Sequence, residues 1–191
     1  MILGITGGTG CGKTTLLDLI REQGGLVIDC DAVYHELLQT DKQLLADIEA
    51  RFPGTVEDGQ LQRKKLGAIV FSDKEALRDL NRITHGAIHA EVLRRLEHNP
   101  GLAAIDAIGL FEGGLSKLCD LTVAVTAPEE DRIVRLMARD NITREYALSR
   151  IQAQPTAQEF SRRCDVTLHN DTTREAFREK CLAFLQSKDI I

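Results

Sequence analysis

Apolar residues in this chain fall into short unbroken runs, separated by longer stretches with three- and four-residue spacing. The runs at 2–6, 26–28, 102–105, 121–125 and 166–168 predict five buried strands. Helical spacing follows at 15–20, in a helix opening near Lys13, and at 32–38, 43–52, 63–71, 74–80 and 83–98. It returns at 129–139, 143–152 and 173–185. Pro53-Gly54 and Asn99-Pro100-Gly101 stop helices, and Glu57-Asp58-Gly59 marks a turn. Strands alternating with helices imply an α/β fold with a central parallel sheet. Such sheets gather ligands beyond the carboxyl ends of their strands. Gly7 onward, Asp29, Asp31, Asp106 and Thr126 lie there.

Residues 7–14 read Gly-Gly-Thr-Gly-Cys-Gly-Lys-Thr, a complete G-x-x-x-x-G-K-[ST] phosphate loop between a strand and a helix. A triphosphate is a dense block of negative charge. Gripping it takes many N–H donors with no bulky side chains in the way, hence the glycines. The helix behind the loop adds free N–H groups and the positive end of its dipole. Gly8, Thr9, Gly10, Cys11, Gly12, Lys13, Thr14 and Thr15 are therefore the candidate nucleotide-binding residues. Lys13 is expected on the β- and γ-phosphates and the Thr14 hydroxyl on Mg²⁺.

The 191 residues suffice for one sizeable α/β domain with an inserted lobe. A net charge of −5 argues against general binding to nucleic acid or to membrane surfaces. No apolar run approaches a transmembrane span, and a strand starting at Ile2 leaves no room for a signal peptide. The five cysteines are odd in number and form no C-x-x-C pair. That favours reduced thiols in a cytoplasmic protein over a zinc site or disulfide framework. Cys11 reads as a small loop-filling residue; the alternative is a thiol whose oxidation blocks the loop.

Asp29 and Asp31 stand two apart at a strand end, and persisting strand geometry would place both on one face. Asp31 then reads either as a base for an attacking hydroxyl or, just ahead of Ala32, as a helix N-cap. Spacing leaves both open. Asp106 closes another strand, where phosphate-loop enzymes commonly hold Mg²⁺ directly or through water; a cap or turn is the alternative. Residues 132–163 hold seven arginines, three acids and no lysine. Arg132, Arg135 and Arg139 share a helical face. They are expected on a mobile lid that closes over the phosphates, with solvated, ion-paired helices as the alternative.

The order and spacing of the quoted pieces resemble the dephospho-CoA kinase family over nearly the whole chain. The matching segments are residues 4–15, Val27-Ile28-Asp29-Cys30-Asp31, Asp58-Gly59-Gln60-Leu61-Gln62-Arg63, Val70-Phe71 and Leu80-Asn81-Arg82-Ile83-Thr84-His85. Later come Leu110-Phe111-Glu112, residues 135–139 and 150–154, and Cys164-Asp165 followed by Asn170. The resemblance implies Mg²⁺-dependent transfer of the γ-phosphoryl of ATP to the ribose 3′-hydroxyl of dephospho-CoA, the last step of coenzyme A synthesis. It implies a P-loop, nucleoside monophosphate kinase-like fold. The core would span 1–31, 99–131 and 164–191, the helical acceptor-binding insertion about 32–98 and the lid about 132–163. By the same resemblance Asp31 is the base or hydroxyl-orienting group, acting with Lys13 and Arg139 on the phosphates. Arg63, Asn81, His85 and Asp106 are assigned to the acceptor side, Thr14 and Asp106 to the metal, and Asn170 to the adenine. His85 reads equally as a helix-packing residue, and Asn170 has loop packing as its alternative. The partners implied are ATP and dephospho-CoA, bound by a monomer or weak homo-oligomer.

Some positions depart from the family pattern. Gly86 stands where proline follows the histidine, Asp106-Ala107-Ile108-Gly109 replaces the proline turn, and Asp131 takes a glutamine position. Two rival functions follow from the same loop. One is a kinase for another nucleoside or small metabolite. The other is a guanine-nucleotide switch, suggested by the D-x-x-G at Asp106–Gly109 but lacking an N-K-x-D segment.

Overall fold

The computed structural model describes residues 1–191, which divide into two units: Met1–Ile28 with Asn99–Ile191, and Asp29–His98. Along the chain come β1 (Ile2–Thr6), α1 (Lys13–Glu22) and β2 (Leu26–Asp29), followed by α2 (Cys30–Thr40) and α3 (Lys42–Arg51). The short strands β3 (Val56–Glu57) and β4 (Gln60–Leu61) precede α4 (Arg63–Val70) and α5 (Lys74–Glu97). Next are β5 (Ala103–Asp106), β6 (Leu121–Thr126), α6 (Glu129–Asp140), α7 (Arg144–Gln152) and α8 (Ala157–Arg163). β7 (Val166–His169) and α9 (Arg174–Ser187) complete the chain.

The main sheet runs β2-β5-β1-β6-β7, with β1 parallel to both β5 and β6, and β6 parallel to β7. The expected α/β fold is thus present. Alternate residues of β1, Leu3 and Ile5, join Val123 and Val125 of β6 in one apolar cluster. α1 covers that cluster with Leu16, Leu19 and Ile20, and α9 covers it with Phe177, Cys181 and Leu185. Each large side chain shielded in this way contributes about 1.5–3 kcal/mol. The strands read as continuous apolar runs because their other face is covered too. On that side, a Cβ on Gly4 would lie 2.7 Å from Cys119 Sγ and 2.8 Å from Leu110 Cδ2.

The arginine-rich segment forms a helical hairpin, α6 against α7, with its own small core of Ile133, Leu136, Ala147 and Ile151. Asn141, at φ 52°, ends α6 in the left-handed conformation. The sequence reading assigned nothing to α8, which opens on a reciprocal capping box between Thr156 and Glu159.

Residues Asp29–His98 correct the sequence reading in two places. The N-cap of α2 is Asp29, not Asp31: Asp29 Oδ1 accepts from the Asp31 and Ala32 N–H groups at 2.9 and 3.1 Å. The helix therefore starts at Cys30, strand geometry does not reach Asp31, and the two carboxylates do not share a strand face. Asp41 and Asp73 cap α3 and α5 in the same manner. The second correction concerns residues 74–98. Lys74–Glu97 form one 24-residue helix, not two, because Asn81-Arg82 has no breaking chemistry and α2, α3 and α4 all pack along it. At Asp58-Gly59 both residues have positive φ, 51° and 73°, a type I′ turn joining β3 to β4. Glu91 of α5 accepts from Arg94 and Arg95, and Arg95 also reaches Glu36 of α2 at 2.6 Å. The hydrogen bonds from Arg94 and Arg95 hold the Glu91 carboxyl down at about 2.

All five cysteines are free thiols, and no helix is long and apolar enough to cross a membrane.

Gly86 lies inside α5, exposed, where an added Cβ meets nothing within 4 Å. Glycine in a helix interior costs about 0.5–1 kcal/mol relative to alanine. Gly86→Ala is expected to raise the unfolding free energy by that amount in urea titrations; a fall would show that the backbone there is not an unstrained helix.

Candidate functional site: a phosphate loop held by its carbonyls

The loop between β1 and α1 is shaped from outside by side chains that bind its carbonyl oxygens. Lys13 Nζ donates to the Gly7 carbonyl at 3.0 Å, and Arg132 Nε to that of Thr9 at 2.8 Å. Arg135 Nη1 donates to the Gly10 carbonyl at 3.3 Å, and Asn170 Nδ2 to that of Cys11 at 2.9 Å. No peptide in the chain is cis. In a trans peptide the C=O and the following N–H point in opposite directions. Anchoring these carbonyls therefore turns the N–H groups of Gly8, Gly10 and Gly12 away from the anchors. Those amides, with the N–H groups of Lys13 and Thr14 in the first turn of α1, donate to no backbone carbonyl. The Thr9 N–H differs: it donates to Gln154 Oε1 at 2.8 Å.

Glycine is required where the loop meets its supports. Gly7 has φ 138°, and a Cβ there would stand 2.1 Å from the Val125 carbonyl oxygen of β6. Gly12, at φ 97°, caps α1, and its Cβ would stand 2.3 Å from Asn170 Nδ2. Cys11 is 1 % exposed, and burial pushes its thiol pKa up. The residue is packed and protonated, as the loop-filling reading expected, which leaves little thiolate for oxidation.

Lys13 Nζ also lies 3.8 Å from Asp106 Oδ1, at the end of β5. Thr14 is exposed on the first turn of α1, and Thr15 N–H donates to the Gly12 carbonyl at 3.1 Å. No group of three or more His, Cys, Asp or Glu side chains could by itself hold a metal ion. Asn170 is buried with its Oδ1 unbonded. Beside it is a cavity of about 460 Å³ lined by Thr126, Pro128, Gln158, Ser161, His169 and Asp171. Thr126 Oγ1 and His169 Nδ1 lie 2.7 Å apart on its wall.

The arginines of residues 132–163 do not act as one set. Arg132 is 6 % exposed and built into the support of the loop, so it is no solvent-facing lid residue. Arg139 makes a bidentate pair with Asp140 at 2.7 and 2.9 Å, and Arg150 shares that carboxylate at 2.6 Å. The two guanidiniums hold the Asp140 carboxyl well below the usual range. Arg144 pairs with Glu130, and Arg163 pairs with Glu112 while lying over the Phe111 ring.

In the other unit, Asp31 is exposed in the first turn of α2, and its carboxylate makes no hydrogen bond to the protein. A separate apolar cavity of about 210 Å³ lies among Tyr34, Leu38, Leu66, Val70 and Phe71, with Arg63 at its wall. Phe71 is 85 % exposed, and burial raises the Tyr34 pKa against the opposing Arg63 charge. Asn81 is exposed and His85 half-buried on α5, and neither lines this cavity. Sequence reasoning assigned no role to Gln154 and misplaced Arg132, because nothing in their spacing marks them as supports of the loop.

The family model for dephospho-CoA kinase matches residues 1–175. A dephospho-CoA kinase of Carboxydothermus hydrogenoformans is 35% identical, covering 97% of this chain and 93% of that protein. One of Bacillus cereus is 34% identical over 100% of this chain and 98% of the relative. A crystal structure from Thermus thermophilus superposes with a TM-score of 0.84 at 32% identity, covering 98% of this chain and 97% of that one. A dephospho-CoA kinase from Campylobacter jejuni gives 0.69 at 26%, covering 97% and 96%. A shikimate kinase from Bacteroides thetaiotaomicron, at 16% identity and a TM-score of 0.58 over 99% and 98% of the two chains, shares the fold alone.

Gly7→Ala is expected to destabilise the protein by about 2–4 kcal/mol, from positive-φ strain plus collision with β6 backbone. It is also expected to abolish ATP binding. Denaturant unfolding and nucleotide titration measure the two effects, and near-normal values for both would contradict the steric account.

Proposed function

The chain belongs to the dephospho-CoA kinase family, and on that premise we propose how its residues share the reaction. The reaction is ATP-dependent phosphorylation of the ribose 3′-hydroxyl of dephospho-CoA, giving coenzyme A and ADP. The observation that carries the reading is the anchored loop, whose outward-held carbonyls leave a row of unbonded amides and a lysine for a polyphosphate.

The amides of Gly8, Gly10, Gly12, Lys13 and Thr14 hold the β- and γ-phosphates, and Lys13, whose ammonium has donors to spare beyond the Gly7 carbonyl, neutralises them. The buried, unbonded Asn170 Oδ1 beside its cavity suits the exocyclic amine of adenine. Thr14 and Asp106 offer only oxygen donors, which fits Mg²⁺, an ion that keeps several waters and takes phosphate oxygens over an all-protein cage. When bound, the ion supplies charge neutralisation on the β- and γ-oxygens. Asp31 orients the acceptor hydroxyl and takes its proton as the new P–O bond forms and the bridging bond to ADP breaks. Its freedom from capping duty leaves the carboxylate for that role. Arg139 exchanges Asp140 for the transferring phosphoryl group. The apolar cavity with Arg63 at its wall suits the long neutral arm and the phosphates of the acceptor, and Asn81 and His85 of α5 are the further residues assigned to the acceptor. A cytoplasmic, monomeric or weakly self-associating enzyme is the accompanying expectation.

Purified protein supplied with ATP, Mg²⁺ and dephospho-CoA is expected to form coenzyme A and ADP in equal amounts. Shikimate and free nucleosides run alongside as acceptors; turnover of one of those in place of dephospho-CoA would reassign the substrate. Asp31→Asn is expected to cut kcat by about 100-fold or more, the usual worth of general-base assistance, while the ATP dissociation constant stays within about threefold. Equal loss in both measurements would remove Asp31 from the chemical step.

A further inference from the structure

Arg132 is the most deeply buried arginine of its segment, and no carboxylate pairs with it. Its side chain is 6 % exposed. Its Nε donates to the Thr9 carbonyl at 2.8 Å, and its Nη2 lies 3.4 Å from Gln154 Oε1, the same oxygen that accepts the Thr9 N–H. The guanidinium is pressed against the loop so closely that a Cβ on Gly8 would sit 2.2 Å from Nη2. Burial lowers its pKa, and the attraction of Glu129, which forms no ion pair with it, offsets this only in part.

A buried cation without an ion-paired counter-ion is expensive unless a negative partner arrives. A neutral hydrogen-bonding residue could hold the Thr9 carbonyl equally well, so support of the loop does not by itself account for a charge here. The site that borders this charge takes a triphosphate in the function proposed above, on which this inference rests. We propose that Arg132 is a positioning residue for the phosphate tail. It turns the Thr9–Gly10 peptide so that the Gly10 amide faces the ligand, and its uncompensated charge acts through the loop on the bound polyphosphate. Gln154 keeps the guanidinium and the Thr9 amide in register until the ligand binds.

The test compares wild type, Arg132→Gln and Arg132→Lys as full-length protein. ATP and adenosine are titrated by ligand-observed NMR, and melting temperatures are taken without nucleotide. Arg132→Gln keeps a donor but loses the charge. It is expected to weaken ATP binding by about tenfold or more, the scale of one charge-assisted phosphate interaction, with adenosine affinity unchanged and the ligand-free melting temperature not lowered. Arg132→Lys is expected to recover most of the ATP affinity. A merely structural arginine would give the opposite pattern: a lower melting temperature in Arg132→Gln, with ATP and adenosine affinity either both unchanged or both reduced. That result overturns the proposal, as does Arg132→Lys binding ATP no better than Arg132→Gln. Wild-type protein that binds ATP yet forms no coenzyme A would sink the acceptor assignment while leaving the Arg132 measurement intact.

Discussion

A glycine-rich loop has no fixed shape of its own, because glycine loses more conformational entropy on ordering than any other residue. Here the shape comes from hydrogen bonds that hold its carbonyl oxygens from outside. Lys13, Arg132, Arg135 and Asn170 each take one carbonyl. The planarity of the peptide converts those four contacts into an orientation for the amides. Every functional property assigned to the loop depends on that conversion. The glycines make it sterically possible, since Gly7 and Gly12 would otherwise collide with the Val125 carbonyl and the Asn170 side chain.

Those supports come from α1, α6 and the residue after β7, which ties the shape of the loop to the packing of the larger unit. α6 carries two of them, and its partner α7 keeps it in place through the Ile133, Leu136, Ala147 and Ile151 cluster. The charge of the arginine-rich segment is largely spent in local pairing. Arg139 and Arg150 share Asp140, Arg144 takes Glu130 and Arg163 takes Glu112. Exposed pairs of this kind each contribute little to stability. Arg132 stands apart because it is buried and has no acid to leave.

The helical unit, Asp29–His98, is organised by short side-chain caps and one long spine. Asp29, Asp41 and Asp73 cap the starts of three helices, and α5 serves as the surface on which α2, α3 and α4 pack. Capping by Asp29 has a chemical consequence, since it frees Asp31 from local hydrogen bonding. The apolar cavity beside Arg63 arises from the same packing, where Leu38, Leu66 and Val70 of α2 and α4 meet the exposed ring of Phe71.

Much of this protein was legible in the residue order alone. The five apolar runs became the five strands of the main sheet, and the G-x-x-x-x-G-K-[ST] pattern named the loop, because both signals are local: side-chain period and backbone permissiveness. The helix starts read at Lys74 and Thr143, against Lys74 and Arg144 in the structure, were legible for the same reason. The error at Asp29 and Asp31 was local too, and came from extending strand geometry two residues too far. Tertiary structure alone decided which side chains hold the loop. Arg132 and Thr9 are 123 residues apart, and Asn170 and Cys11 are 159 apart. Arg132 and Arg139 look alike on one helical face, yet one is buried against a carbonyl and the other lies in solvent beside Asp140. Composition and spacing report how many charges a segment carries. Burial assigns each its partner, and burial exists only once distant elements have packed.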